Sequence, residues 1–168
     1  MDSNEIVSRS LSELDPETAY GLWRLRADVF VVEQECAYPD LDGRDLEPGT
    51  RHVFARAAGR PVAYLRILAE PDGVARIGRV CVSPEHRSAG LAGDLMRAAL
   101  DEIGHGPSVL GAQAYLQSWY ERFGYVVDGP EYDEDSIAHV PMLRASPSDR
   151  PRDPAGDGSP PGHDPSAD

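Results

Sequence analysis

Six consecutive residues, Arg87-Ser88-Ala89-Gly90-Leu91-Ala92, stand where this chain could hold an anion. Just before them Val80 and Val82 alternate with Arg79 and Cys81, a strand pattern stopped by Ser83-Pro84. Just after them Leu91, Leu95, Ala99 and Ile103 recur four apart, which is one apolar face of a helix. The first N–H groups of such a helix have no partner inside it, and the macrodipole is positive there. A phosphate or pyrophosphate can therefore be held without a basic protein. Gly90 suits the place because a Cβ would keep the backbone away from the anion.

What the loop lacks narrows the ligand. All 16 basic residues are arginines, so the chain has neither a Walker A lysine nor a lysine for Schiff-base chemistry. Gly90-Leu91-Ala92-Gly93 lacks the third glycine of the dinucleotide fingerprint. The pattern that remains is Arg/Gln-x-x-Gly-x-Gly/Ala, filled by Arg87, Gly90 and Ala92. An ordinary strand-to-helix turn of small residues fits the same six positions; the strand before and the amphipathic helix after are what argue for more.

The elements that must position this loop follow from local signals. Ile6-Val7 lies in a short first strand within Asn4–Ser10. Asp15-Pro16-Glu17 starts a helix, with an N-cap aspartate, proline at the first position and an acid in the first turn. Ala19, Trp23, Ala27 and Phe30 carry its apolar stripe to about Val31. Val32 to Gly49 is long and acidic, of a length that forms a lid or a binding loop or stays disordered, and Tyr38 and Leu41 argue against full disorder. His52–Ala58 and Pro61–Ala69 flank Gly59-Arg60 as a hairpin, and Val74–Ser83 follows the Pro71-Asp72-Gly73 turn. The central helix spans Gly90–Ile103 and is closed by Gly104. Ser108–Ala112 is a strand, Tyr115–Phe123 a short helix ended by Gly124, and Tyr125–Asp128 and His139–Leu143 are strands around an acidic turn, Glu131–Ser136. The sum is an α+β fold, a mixed, mostly antiparallel sheet flanked by helices. Residues 1–144 form one domain; from Ala145 to Asp168 proline, aspartate, glycine and serine dominate, and that tail is expected to be disordered.

Composition excludes several classes. The chain has 168 residues, 40% of them hydrophobic, enough for one core. No run approaches the roughly 18 apolar residues of a membrane span. Met1 to Glu5 carry neither the basic start nor the apolar stretch of a signal peptide, so the cytoplasm is the expected compartment. Cys36 and Cys81 are too few and too far apart for a disulfide framework or a zinc site, and no metal is expected. The net charge is −13; Ala145 onward holds five aspartates and two arginines, −3, which leaves −10 on residues 1–144. Such a surface disfavours nucleic acid and favours a cationic partner such as an amine. The oligomeric state is left open, a homodimer among the options.

A second informative stretch, Leu116-Gln117-Ser118-Trp119-Tyr120-Glu121-Arg122-Phe123-Gly124-Tyr125, ends in Tyr-x-x-x-Gly-aromatic. This and the loop at Arg87 to Ala92 resemble the GNAT superfamily of acetyltransferases. Val29 to Cys36, Asp40 to Asp45, Arg51-His52, Ala63 to Arg66, Ile77 to Val80, Leu110 to Ala114 and Glu134-Asp135…His139 are similar, more narrowly, to its ElaA-like branch, over roughly Leu22 to Leu143. The resemblance implies acetyl-CoA as co-substrate, bound by Val80, Cys81 and Val82 along pantetheine and by Arg87, Ser88, Ala89, Gly90, Leu91 and Ala92 at the pyrophosphate. It implies central strands that splay apart to admit the thioester. Ala37, Ser136, Ala138 and Tyr115 depart from the branch's usual Pro, Gly, Pro and His, all around the expected acceptor pocket.

The implied reaction transfers an acetyl group to an amine-bearing, cationic acceptor by direct attack. Tyr120 is the implied acid: a phenol near pKa ~10 can protonate a departing thiolate whose acid is near ~8.5 if the two are held close and dry. The acceptor arrives as an ammonium, so a base is needed. Glu33 is the first candidate, His52 and His139 the alternatives; Gln34, Arg79 and Gln113 complete the expected substrate contacts. Cys81, with no base beside it in sequence, reads as a small buried residue rather than a nucleophile. Two other readings stay open: a module that senses acyl-CoA without turnover, and an acyltransferase fed by an acyl carrier, since Phe30 to Gln34 also resembles acyl-homoserine-lactone synthases.

Overall fold

A computed structural model describes residues 4–149 of the chain. Its centre is an eight-stranded sheet. The strands are β1 (Glu5–Arg9), β2 (Arg51–Ala57), β3 (Arg60–Ala69), β4 (Ala75–Val82), β5 (Ser108–Gln113), β6 (Val126–Val127), β7 (Tyr132–Glu134) and β8 (Ile137–Arg144). The order is β1-β2-β3-β4-β5-β8-β6, with β7 also paired to β8. Every pairing is antiparallel except β4 with β5.

Alternation along the middle strands makes two apolar faces, and each is covered by one helix. Val53, Ala55, Ala63, Leu65 and Ile67 face α2 (Leu91–Ile103), which buries Leu91, Leu95, Met96 and Ala99 against them. Phe54, Tyr64 and Cys81 face the other way, onto Leu22, Leu25 and Val29. Leu22 and Leu25 belong to α1 (Pro16–Arg26), which starts at Asp15: its carboxylate accepts from the Thr18 N–H at 2.9 Å.

Three elements differ from the sequence reading. The first helix runs on to Glu33, and its last stretch, Ala27–Glu33, is wound as a π-helix. Wider turns of this kind are uncommon and cluster at functional sites. The first hairpin turns at Ala58-Gly59, one residue early, both at positive φ (49° and 76°) as a type I′ turn requires. Within the acidic stretch read as a turn lies a strand, β7, joined to β8 through Asp135 and Ser136, also at positive φ. The chain continues past Arg144 into a turn in which the Asp149 N–H meets the Ser146 carbonyl; the rest of the expected tail lies outside the described residues. Among the described residues no helix is long and apolar enough to cross a membrane.

Candidate active site

The site begins where the sheet comes apart. Parallel β4 and β5 pair only at Ala75 with Ser108 and Arg76 with Val109, yet β4 continues to Val82 and β5 to Gln113. Between them a cleft of about 840 Å³ opens. A bulge helps turn β4 away: two steps along β3, from Tyr64 to Arg66, face three along β4, from Cys81 to Gly78, with Arg79 at φ 55°.

Backbone polarity along β4 follows from one bond. The Ser83 N–H donates to Val62 of β3 at 2.8 Å, so in an antiparallel ladder Cys81 also turns its backbone to β3. Val80 and Val82 turn theirs toward the gap. Cys81, expected beside them on the co-substrate, is thus corrected to a wall residue: its thiol is buried and pushed up to about 12 by that burial, well away from a thiolate.

Beyond β4 the loop expected to hold an anion is built as a cradle. Ser88 and Gly90 both sit at positive φ (68° and 78°), and Gly90 is the N-cap of α2. Among the described residues the N–H groups of Ser88 through Gly93 donate to no other group. A Cβ placed on Gly90 would meet nothing within 4 Å, so glycine is required there by its φ and not by crowding within the chain. Free amides in a concave turn at a helix start are a ready anion site.

The Arg87 side chain is not free. Its guanidinium spans both oxygens of Glu33, at 2.5 and 2.6 Å, while Nε donates to the Val82 carbonyl at 3.1 Å. Glu33 is therefore placed differently from the base expected of it. Hydrogen bonding to Arg87 holds its carboxyl below the usual range, which makes it a weaker proton acceptor. The π-helical turn aims it here, at the loop before α2.

On the far side of the gap β5 leads into α3 (Gln117–Glu121) and Tyr120. The Tyr120 ring is buried, 4.8 Å from Trp119 and 6.4 Å from Tyr125, both edge-on, and it borders the cleft. Its hydroxyl makes no hydrogen bond among the described residues. Burial pushes the phenol above its ordinary value, so it stays protonated at neutral pH.

The acidic loop after α1 is the third wall, and most of its charge is spent inside the chain. Arg26, fully buried, binds Asp40 at 2.9 Å and Asp45 at 2.7 Å. Arg66 binds Asp42 at 2.8 Å and Asp45 at 3.1 Å; Arg79 lies 2.8 Å from Asp40 and over the Tyr38 ring. Burial alone would raise the Asp42 carboxyl, but the Arg66 hydrogen bonds overrule it and hold it well below the usual range. Three aspartates thus balance three arginines. Gln34 and Arg79 line the cleft, as does Gln113 at the end of β5. His52 does not. It is fully buried under Trp23, with Nδ1 2.7 Å from the Tyr64 hydroxyl, so its expected substrate contact is corrected to a packing role.

The fourth wall is the β7–β8 hairpin, which the sequence reading saw only as a turn and one strand. His139 lines the cleft opposite Gln113 in register, and Tyr132 stacks on its ring at 5.7 Å with an interplanar angle of 24°. The Tyr132 hydroxyl lies against Gly111 of β5, where a Cβ would overlap it. Tyr132 and Glu134 join the site although neither was singled out for a role there. The available signal was their two-residue spacing, which puts both on one face of a strand.

Three comparisons accompany this geometry. A model of the Acetyltransferase (GNAT) domain family matches residues 21–145. A UPF0039 protein of Mycobacterium tuberculosis is 46% identical over 136 residues, 79% of this chain and 87% of the relative. Among solved structures, an acyl-CoA N-acyltransferase from Pseudomonas aeruginosa superposes with a TM-score of 0.80 at 39% identity, and Escherichia coli ElaA with 0.79 at 39%. Each match spans 84% of this chain and 99% of the other.

Proposed function

The chain belongs to the GNAT acetyltransferase family, and on that premise we propose that it moves an acetyl group from acetyl-CoA to the amine of a cationic small molecule, peptide or protein. The observation that carries the reading is the run of amides from Ser88 to Gly93 that have no partner among the described residues, set at the end of a strand whose neighbour has parted from it.

Each wall then has a task. The Ser88 to Gly93 amides would hold the diphosphate, a charge that the acidic surface would not attract in bulk. Val80 and Val82 offer backbone groups to the pantetheine amides, as a sheet edge accepts an added strand. The Val82 carbonyl is shared with Arg87, so the Val80 groups and the Val82 N–H carry most of that pairing. Acetyl-CoA, when bound, supplies the activated acyl carbon and a thiol leaving group. Tyr120 keeps its proton until the sulfur needs one; between a phenol near ~10 and a thiol near ~8.5 the transfer runs uphill, so it depends on close approach and on a dry pocket that raises the basicity of the departing thiolate as well. A backbone N–H facing the gap polarises the acyl oxygen.

The test is release of free thiol from acetyl-CoA by the purified chain against a panel of alkylamines, diamines and peptides, with mass spectrometry of the products. Acetylated amine and equimolar thiol are expected. Tight acetyl-CoA binding with no thiol released by any amine would favour a sensing module instead. Transfer from an acylated carrier protein in preference to CoA would change the donor.

A further inference from the structure

We infer that His139 is the group that takes the proton from the incoming ammonium, with Glu134 drawing the cation to that wall; this rests on the acyltransferase reading above. The first observation is a tautomer. Nδ1 of His139 lies 2.8 Å from the Ile137 carbonyl oxygen, which can only accept, so Nδ1 carries the hydrogen. A neutral ring so held has its lone pair on Nε2. Stacking on Tyr132 fixes the ring plane, and Nε2 looks toward Glu134 Oε2 at 3.9 Å. That separation is too long for a hydrogen bond, so the lone pair on Nε2 is left unoccupied by the chain's own groups.

The second observation is the charge left over in the cleft. The five arginines that line it, Arg44, Arg66, Arg76, Arg79 and Arg87, are each paired with carboxylates of this chain. Glu33 and Asp42 are consumed in those pairs. Glu134 and Asp135 also line the cleft, and among the described residues neither has an arginine partner. The uncompensated charge is therefore negative, and it sits on the hairpin that carries His139. A cation is drawn to that wall.

The groups facing His139 are Tyr132 and Glu134 from β7 and the neutral Gln113 from β5, with the Ile137 carbonyl on its own strand. In the step, an ammonium N–H bond breaks, its electron pair stays on nitrogen, and the proton goes to Nε2. The ring then holds two N–H groups, one on Ile137 and one toward Glu134, and it releases the extra proton to water past the exposed Glu134 side chain. The amine nitrogen keeps the lone pair that attacks the acyl carbon. Glu33 is held by Arg87 and His52 is sealed in the core, so neither competes for this role.

The experiment compares the unaltered chain with His139→Asn on two acceptors: the best alkylamine of the panel, charged at neutral pH, and hydroxylamine, uncharged there. The variant should lose about 100-fold or more in kcat/KM on the alkylamine, the usual worth of a general base. It should lose far less on hydroxylamine and keep its affinity for acetyl-CoA. Glu134→Gln should raise KM for the alkylamine and leave KM for hydroxylamine unchanged, because the wall loses a negative charge that draws the cation. Should His139→Asn fold poorly by its thermal midpoint, His139→Gln takes its place. An independent readout needs no turnover: in ¹⁵N-histidine-labelled protein the His139 resonances should report the Nδ1–H tautomer. Equal losses on both amines, or an Nε2–H tautomer, would overturn the assignment. No transfer to any amine by the unaltered chain would overturn the acyltransferase reading itself, and the tautomer would still be read.

Discussion

Replacing Glu33 by glutamine separates two roles that the residue cannot hold at once. In the structure both its oxygens are bound to Arg87, and the two side chains are 40% and 43% exposed. An ion pair that open to water contributes at most about 1 kcal/mol. For a chain of this size the thermal midpoint should therefore fall by no more than about 4 °C. Acetyl-CoA binding should hold or improve, because an incoming diphosphate no longer competes with a carboxylate for Arg87. The same ceiling of about 1 kcal/mol corresponds to about fivefold in Kd, and the gain should fade in high salt as exposed charges are screened. The rate at saturating acetyl-CoA should change only a few-fold. If Glu33 were the base, its loss would cost about 10²- to 10⁴-fold. Calorimetric titration with CoA and steady-state thiol release read the two numbers apart. A hundredfold fall in kcat with unaltered CoA affinity would return Glu33 to the chemistry and refute the assignment of the proton to His139.

At Gly90 two variants divide strain from obstruction. Valine must adopt a φ of 78° at a cost of about 1–2 kcal/mol or more, so Gly90→Val should lower the apo midpoint by several degrees as well as abolish CoA binding. Asparagine tolerates that conformation, so Gly90→Asn should weaken CoA binding with the midpoint nearly unchanged; undiminished affinity would show that these amides do not hold the diphosphate. Tyr120→Phe removes a hydroxyl with no partner among the described residues, so stability should be kept or slightly raised while kcat falls about 100-fold at constant CoA affinity; a full rate would remove Tyr120 from proton transfer. Burial pushes the His52 imidazole below its ordinary value, so the unfolded chain takes up a proton at a higher pH than the folded one. Its contribution to stability is present above about pH 6.5 and is lost as pH falls below it. Thermal midpoints at pH 7 and pH 5 should fall further apart in the unaltered chain than in His52→Gln, and equal differences would show that His52 titrates alike folded and unfolded.

Features whose cause is local were legible in the sequence. Asp15-Pro16 caps α1, Gly90 and Gly104 bracket α2, and Gly59 belongs to its hairpin turn, because capping and positive φ are settled within a few residues. The π-helical stretch Ala27–Glu33 was not legible, since Ala27 and Phe30 fit an ordinary helical stripe equally well. β7 was hidden because Asp133, Glu134 and Asp135 are poor strand formers, and pairing with β8 overrides them. Partner choice among charges was the least legible. Glu33 meets Arg87 from 54 residues away and Asp40 meets Arg79 from 39. Nothing in either neighbourhood says that a run of acids read as a lure for cations is mostly neutralised by arginines from the sheet. His52 illustrates the converse: a titratable residue beside a strand start was read as a site candidate, and the fold seals it under Trp23.

On the proposed function, those pairings also explain how a chain with −10 on its first 144 residues would bind a polyanion and a cation in one cleft. At physiological salt an exposed charge is felt over about 8 Å, so the overall excess does little inside the site. Local balance decides. On the β4 wall Glu33, the carboxylate near the loop before α2, is tied to Arg87, which leaves the amides of Ser88 to Gly93, without a partner among the described residues, as the unspent polarity, and it is positive. On the β7–β8 hairpin Glu134 and Asp135, without an arginine partner among the described residues, are the unspent groups, and they are negative. On the proposed function, donor anion and acceptor cation would thus be sorted to different walls before either meets Tyr120. A surface read only by its net charge would assign both walls the same sign.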